Sequence, residues 1–343
     1  YAAEIDEVIR RAREAGVEKI IVVGGAGVFG LVKASDAGFH LERAGYLYAG
    51  LAVIGALAAW RFMNNLSGAK SSPREQLRVL RYKHTWVMSF LYIGTFGSFI
   101  GYSAAMPLLI KLNFWNQPVP EIPGIGINFA YYAFLGALVG SVARPFGGWL
   151  ADKYGGARVT LATFGAMILG TLAVIYTLTL LTPVPKPPVD APAPDPATFQ
   201  YSDAVVAAVS ANSDIFPWFL AAFLFVFAAT GIGNGSTYRM IPLILANEAK
   251  RTATSETFDA AMTKATKESS AVIGIAGAIG ALGGFLIPMT FGAPWIDNPV
   301  DSVKTAFAVF TAFYVVCLAT TWFFYTRRVT FAGRVPSLAT ANI

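Results

Sequence analysis

The chain has 343 residues, of which 55% are hydrophobic and only 13% are charged, and its mean hydropathy is +0.54. These values are higher than a soluble globular domain needs to fill one core, so they exclude the ordinary soluble classes and indicate a membrane protein. The net charge of +6 at pH 7 does not by itself require a nucleic-acid partner.

Residues 1–44 form an atypical N-terminal segment, which we interpret as a tail or the remnant of a preceding helix. Gly25, Gly27 and Gly30 fit the G-x-G-x-x-G pattern of dinucleotide-binding turns. Such a turn must open a helix inside a βαβ unit, with the pyrophosphate at the helix N-terminus. Here the chain continues directly into a membrane span, so the tail is favoured over a nucleotide site.

Seven apolar stretches are each long enough to cross a bilayer as an α-helix, which takes about 20 residues. They are, approximately, 45–63, 84–112, 127–151, 159–181, 216–246, 271–292 and 304–326. The predicted fold class is therefore all-α transmembrane. The predicted organisation is a first span, a basic linker over 64–83, a six-helix lobe over 84–327 and a tail over 328–343.

Lys and Arg are concentrated in alternate loops. They precede the second span, separate the third from the fourth and the fifth from the sixth, and follow the last. The intervening loops, including the Pro-rich segment around Lys186, are poor in basic residues. By the positive-inside rule, the basic loops and the C-terminus are predicted to be cytoplasmic. The positive charge thus predicts orientation in a lipid bilayer, and we expect no nucleic-acid partner.

Cofactor and metal sites are not indicated. Cys317 is the single cysteine and lies inside the last span, where packing is its expected role. His40 and His84 lie near span ends, where an interfacial role is favoured over a ligand role. A membrane-embedded redox subunit would need histidine pairs within spans to hold haem, and these are absent from the sequence.

The loop between the third and fourth spans has the form G-x-x-x-D-K-x-G-G-x-R. Gly148, Asp152, Lys153, Gly155 and Arg158 occupy its defining positions. The glycines permit a tight turn, and Asp152 can pair with a cation or a helix N-terminus as a releasable cytoplasmic latch. This pattern is typical of the loop that joins paired helices in major facilitator transporters.

Two segments place small residues densely inside spans, "GIGNGSTYRMIP" (231–242) and "GIAGAIGALGGFLIP" (274–288). Such spacing lets helices approach closely and can leave polar backbone beside a cavity. Tight packing without a ligand is the alternative reading. In the first segment, Asn234 and Arg239 are possible substrate-pathway residues, although Arg239 can equally snorkel to the interface.

Arg144 is a permanently charged residue in the middle of the third span. Such a charge costs several kcal/mol near the bilayer centre and rarely persists unless it faces a cavity or a partner. A planar guanidinium can meet a planar oxyanion with two parallel hydrogen bonds. Tyr92 and Phe96, four residues apart, share a helix face and offer aromatic surface. Gly140 and Gly148 are expected to leave room around the arginine head group.

Four segments together closely resemble the second half of the bacterial nitrate/nitrite porters of the major facilitator superfamily, over about residues 41–328. They are "HTWVMSFLYIGTFGSFIGYSAAMPLLIK", "GSVARPFGGWLADKYGGARVT", "GIGNGSTYRMIP" and "GAIGALGGFLIP". The resemblance implies a twelve-helix inner-membrane carrier whose anion lies between two six-helix halves. It implies that the substrate-binding residues are Arg144, Tyr92, Phe96, Gly277, Gly280 and Gly284.

Transport by anion exchange is the mechanism we hypothesise, with no enzymatic activity. No Asp or Glu lies within an apolar span between 84 and 327, so a proton-carrying carboxylate is not evident. The resemblance also implies that the N-terminal lobe of the carrier is missing from this chain, which would then be a fragment. A porter for another small anion, such as an organic phosphate, is the alternative, and Arg239 keeps it open.

Overall fold

A computed structural model describes residues 33–34, 38–39, 41–63, 73–119, 122–185, 194–254, 257–291 and 299–327. It confirms an all-α transmembrane architecture. The helices are α1 (Leu41–Phe62), α2 (Pro73–Arg78), α3 (Lys83–Tyr92), α4 (Ser98–Phe114), α5 (Ala133–Tyr154), α6 (Gly156–Thr179), α7 (Asp203–Thr252), α8 (Phe258–Ala281), α9 (Gly283–Phe291) and α10 (Pro299–Thr321). Short 3-10 turns cover Val79–Arg81 and Phe129–Tyr131, and π-helical segments cover Ile93–Gly97 and Trp322–Thr326.

The described strands are two residues long and form two antiparallel pairs. β1 (Lys33–Ala34) pairs with β2 (Gly38–Phe39), and β3 (Trp115–Asn116) pairs with β4 (Ile125–Gly126). The second pair closes the α4–α5 loop, where Ile127 N donates to Phe114 O. The glycine-rich pattern at 25–30 and the tail after 327 lie outside the described residues.

Six described segments are long and apolar enough to cross a membrane. They are Gly45–Phe62, Lys83–Phe114, Gly156–Thr179, Asp203–Thr252, Phe258–Phe291 and Val300–Thr326. The stretch predicted as the third span forms α5, a helix of 22 residues that carries Arg144, Asp152 and Lys153. Those charges lower its apolar character, so α5 is not among the six. Together these helices support a multi-pass membrane protein.

Two helices extend well beyond their predicted apolar stretches. α7 has 50 residues, and at 1.5 Å per residue it is about 75 Å long, which exceeds the bilayer thickness. α8 begins at Phe258, thirteen residues before its predicted span. The predicted span 271–292 is also divided, since α8 ends at Ala281 and α9 begins at Gly283. Hydropathy alone locates apolar stretches and misses polar extensions of the same helices.

The interior of the lobe is built from aromatic side chains. Tyr102 of α4 is fully buried and contacts Phe223 and Phe227 of α7 and Phe307 of α10. Its hydroxyl lies 2.6 Å from that of Tyr314, also buried. These rings bury large apolar areas and join α4, α7 and α10 into one core.

α7 lies between α5 and α6 and packs on both. Glycines make the α5 contact close. A Cβ atom on Gly231 would meet Gly140 O, and one on Gly235 would meet Arg144 O. The backbones of α5 and α7 therefore lie against each other beside Arg144, as expected for small-residue packing in membranes.

α1 differs from the other spans because its side chains are largely exposed. Tyr46, Leu51 and Trp60 are among them, with Trp60 83% exposed. A Cβ atom on Gly45, Gly50 or Gly55 would meet no described atom within 4 Å. An apolar helix of this kind is suited to a lipid or protein environment.

Candidate substrate site

Arg144 lies partly buried in the middle of α5. Its Cζ atom is 5.7 Å from the ring centroid of Tyr238 on α7, within the range of a cation–π contact. Among the described residues, no carboxylate lies within ion-pair distance of its guanidinium. Arg144 therefore retains its hydrogen-bonding donors for another group, and the aromatic contact orients it.

Tyr92 and Phe96 stack on each other, with ring centroids 5.0 Å apart and an interplanar angle of 26°. Tyr92 is the last residue of α3, and Phe96 lies in the π-helical segment Ile93–Gly97. The expected shared face is therefore present. Tyr92 also lies close enough to Arg144 and Tyr238 for electrostatic interaction between them. The structure thus places Tyr92 near Arg144 and stacks Phe96 on Tyr92, and π-helical segments are frequent at functional sites.

The glycines of the 274–288 segment fall into two groups. A Cβ atom on Gly280 would lie 3.0 Å from Phe96 Cδ1 and 3.3 Å from Tyr92 Cδ1, so Gly280 supports the aromatic pair. Gly284 packs on Ile100 in the same way. Around Gly277, by contrast, no described atom would lie within 4 Å of a Cβ. Gly280 and Gly284 are therefore packing positions, whereas Gly277 faces open space.

The expectation that Gly140 leaves room around the Arg144 head group is wrong. A Cβ atom on Gly140 would lie 2.5 Å from Phe99 Cε2 and 3.1 Å from Phe227 O, so this glycine is used for close helix packing. At Gly148 the expected space exists, because a Cβ there would meet no described atom within 4 Å.

Asp152 and Arg239 form an ion pair, with Arg239 Nε 2.5 Å from Asp152 Oδ1 and both side chains about half exposed. The pair joins the end of α5 to α7. The expected pairing of Asp152 with a cation is thus present. Arg239 was expected to line the pathway or to snorkel to the interface. The ion pair contradicts neither alternative, and because Asp152 offsets the charge of Arg239, it weakens the argument for an organic phosphate.

The rest of the loop motif forms the turn between α5 and α6. Gly155 has φ +90°, a conformation that favours glycine, and its N–H donates to Ala151 O. The Nζ atom of Lys153 lies 5.3 Å from the Trp149 ring centroid. Arg158 is exposed. The predicted tight turn is therefore present, and its basic residues lie at the surface.

We call the end of the lobe that carries Tyr82, Lys153 and Lys250 the basic end. There, His84 is buried, with Nδ1 3.1 Å from the Tyr325 hydroxyl and Nε2 3.8 Å from Glu248 Oε1. The histidine links α3, α7 and the segment after α10. The described residues hold no group of three or more potential metal ligands. Cys317 is buried in α10.

Two cavities lie away from Arg144. One, of about 940 Å³, is at the end opposite the basic end and is lined by residues that include Lys111, Trp115, Gln117 and Tyr201. The other is a groove of about 500 Å³ between α6 and α7. Neither is lined by Arg144, Tyr92 or Phe96.

Tyr238 is the site residue that sequence reasoning missed. It is the only described aromatic residue whose ring the Arg144 guanidinium contacts at cation–π distance. A signal was available in the glycines at 231, 233 and 235, which predict close approach of α7 to another helix. Tyr238 follows one turn later on that helix, beside the arginine.

No protein-family model matches the chain. The chain is, however, similar in sequence to several curated proteins. The chain is 34% identical over 308 residues to the nitrate/nitrite transporter NarU of Escherichia coli (strain K12) and 33% identical over 309 residues to NarU of Salmonella typhimurium, each covering 88% of this chain. It is 30% identical over 292 residues, 84% of this chain, to the probable nitrate/nitrite antiporter NarK2 of Thermus thermophilus. These relatives support the nitrate/nitrite porter family.

The chain spans little more than half the length of these porters. The matched region is 57% of each NarU protein and 52% of the Thermus thermophilus NarK2. The similarity therefore covers one part of a porter, and that part includes Arg144, Tyr92 and Phe96 within a single packed lobe.

Proposed function

We propose that this chain supplies one lobe of a secondary transporter that moves nitrate and nitrite across a bacterial inner membrane. The second lobe, absent here, would carry the facing half of the cavity. We call this chain together with that lobe the full carrier. The basic end, and with it the C-terminus, faces the cytoplasm in this proposal, following the positive-inside rule.

The observation that carries the proposal is the environment of Arg144. It is a charged residue in the middle of a helix, in contact with Tyr238 and without a described carboxylate partner. A flat oxyanion satisfies such a guanidinium with two parallel hydrogen bonds, which lysine cannot reproduce. The names of the relatives, nitrate/nitrite transporters and an antiporter, favour nitrate and nitrite as the anions.

Exchange is the transport mode we propose. Three of the carboxylates with described ion pairs lie near helix ends: Asp152, Glu248 and Asp301. The fourth, Glu268, lies within α8 at the basic end, where it pairs with Lys264 and accepts a hydrogen bond from the Tyr82 hydroxyl. None lies beside Arg144, so proton binding by a carboxylate would not compensate its charge. Reorientation of the empty carrier costs much free energy, because the charge of Arg144 is not neutralised. When an anion neutralises that charge, the carrier reorients readily, and the two lobes rock about the site.

Two assays of the full carrier in proteoliposomes test the proposal. Arg144→Lys should abolish nitrate uptake, whereas Arg81→Lys, a matched change at an exposed arginine outside the loop motif, should leave it unaltered. Uptake into nitrite-loaded vesicles should greatly exceed uptake into nitrite-free ones. Retained uptake by Arg144→Lys would overturn the binding role, and equal rates in the two kinds of vesicle would overturn exchange.

A further inference from the structure

Asn234 of α7 is a buried polar residue that the proposed site does not yet use. The residue is 1% exposed, and neither its Nδ2 nor its Oδ1 atom has a hydrogen-bond partner among the described residues. A buried amide left unpaired costs roughly 1–3 kcal/mol for each unsatisfied group. An asparagine on an otherwise well-packed helix is therefore expected to have a partner outside the protein's own atoms.

The direction of the Asn234 side chain follows from its helical neighbours. Gly231 packs on the backbone of α5, at Gly140 O. Thr237 lies on the other side, with its hydroxyl 3.1 Å from that of Thr95 in the π-helical segment. Three residues advance an α-helix by 300°, so Asn234 lies about 60° from each of these positions. Its side chain thus projects between α5 and the segment Ile93–Gly97.

The two segments on either side of the Asn234 side chain, α5 and Ile93–Gly97, carry residues of the proposed anion site. Arg144 lies on α5, and its backbone is close to Gly235, the residue next to Asn234. A Cβ atom on Gly235 would meet the Arg144 carbonyl oxygen. Tyr92 immediately precedes the π-helical segment, and Phe96 lies within it. Tyr238, which contacts the Arg144 guanidinium, is one helical turn after Asn234 on the same face.

We propose that Asn234 is an additional anion-binding residue, whose Nδ2 donates a hydrogen bond to an oxygen of the nitrate or nitrite held by Arg144. The inference rests on the proposed function. Nitrate accepts hydrogen bonds only, so the amide nitrogen is the end of the side chain that suits it. The amide oxygen then accepts from a water molecule or a hydroxyl group at the same site.

The burial of Asn234 adds a conformational consequence. At 1% exposure the amide is closed to solvent in this conformation, so the anion reaches it only when α5 and the π-helical segment separate. In a carrier that works by alternating access, such a contact belongs to one part of the transport cycle. Asn234 would then favour small anions, which fit between α5 and the π-helical segment, over larger ones.

Asn234→Leu in the full carrier tests the inference, because leucine has the same number of side-chain heavy atoms and the same branching at Cγ but no polar group. We expect the KM for nitrate to rise roughly 10- to 100-fold, the loss that accompanies removal of a hydrogen bond to a charged group. The thermal stability of the nitrate-free protein should be unchanged or higher, since an unsatisfied amide is removed. The stabilisation by added nitrate should shrink.

Asn212→Leu is a matched control on the same helix. Asn212 is also buried, but its Oδ1 accepts from Thr182 N at 2.7 Å and its Nδ2 donates to Thr182 O at 3.0 Å. Its replacement leaves those backbone groups without partners. We therefore expect the opposite pattern, a lower unfolding temperature with an unchanged KM.

The outcomes separate the two proposals. If Asn234→Leu lowers stability and leaves KM unchanged, Asn234 is a structural residue and the inference is overturned. If Arg144→Lys abolishes uptake in the same preparation, the proposed function survives that result. If Arg144→Lys retains normal uptake, the proposed function fails first, whatever the Asn234 variant shows.

Discussion

Asp152 Oδ1 and Arg239 Nε lie 2.5 Å apart and connect the last turn of α5 to α7 at the basic end of the lobe. Both side chains are about half exposed, so the pair should contribute only about 0–1 kcal/mol to stability. Because the pair lies at the end of the helix that carries Arg144, we propose that it acts in the movement of α5 relative to its surroundings.

We expect Asp152→Asn to lower the maximal rate of nitrate uptake by the full carrier severalfold with little change in unfolding temperature. The exchanged pair Asp152→Arg with Arg239→Asp should recover part of the rate, because it restores the attraction. Asp301→Asn removes another ion pair, with Lys304, within one turn of α10 and should leave uptake unaltered. A drop in stability that accounts for the lost rate would argue against a gating role.

Gly235 should tolerate no side chain, because its Cβ would meet the Arg144 carbonyl oxygen and lie 2.8 Å from Gly148 N. We expect Gly235→Ala to separate α5 from α7 and to destabilise the protein by roughly 1–3 kcal/mol, as overpacking does. Gly148→Ala, on the facing helix, meets no described atom within 4 Å and should have no such effect. Thermal unfolding in detergent measures both, and equal unfolding temperatures would contradict the close approach.

Much of the fold could be predicted from the sequence because membrane spans are long and the signals within them are strong. The turn at Gly155 follows from its glycine motif, and the stacking of Tyr92 on Phe96 follows from their spacing. The break between α8 and α9 could not be predicted, because it accompanies a tertiary contact: a Cβ on Gly283 would meet the backbone of Gly97. The contact of Tyr238 with Arg144 likewise depends on how two helices cross.

Tyr314 is expected to be important for stability. Its hydroxyl donates to Ser98 Oγ at 2.7 Å and lies 2.6 Å from the Tyr102 hydroxyl, all three residues being buried. Tyr314→Phe removes both interactions and leaves two buried hydroxyl groups short of a partner, at a cost of roughly 1–3 kcal/mol. Thermal unfolding should show this loss. Tyr176→Phe, at a residue that is 64% exposed, is the control and should unfold as the parent does.

Gly280 and Gly277 lie one turn apart on α8, and their surroundings predict different consequences of the same substitution. A Cβ on Gly280 would lie 3.0 Å from Phe96 and 3.3 Å from Tyr92, so Gly280→Ala must displace the stacked pair. We expect lower stability together with weaker nitrate uptake, because the displaced rings border Arg144.

Gly277→Ala should fold normally, since the added methyl group meets no described atom within 4 Å. If Gly277 borders the substrate path, as its place in the glycine-rich segment suggests, the methyl group narrows that path and uptake by the full carrier falls while the unfolding temperature stays constant. Unfolding curves and initial uptake rates of the two variants, measured side by side, separate these effects. Normal uptake by Gly277→Ala would remove this glycine from the path and leave the segment a role in helix packing alone.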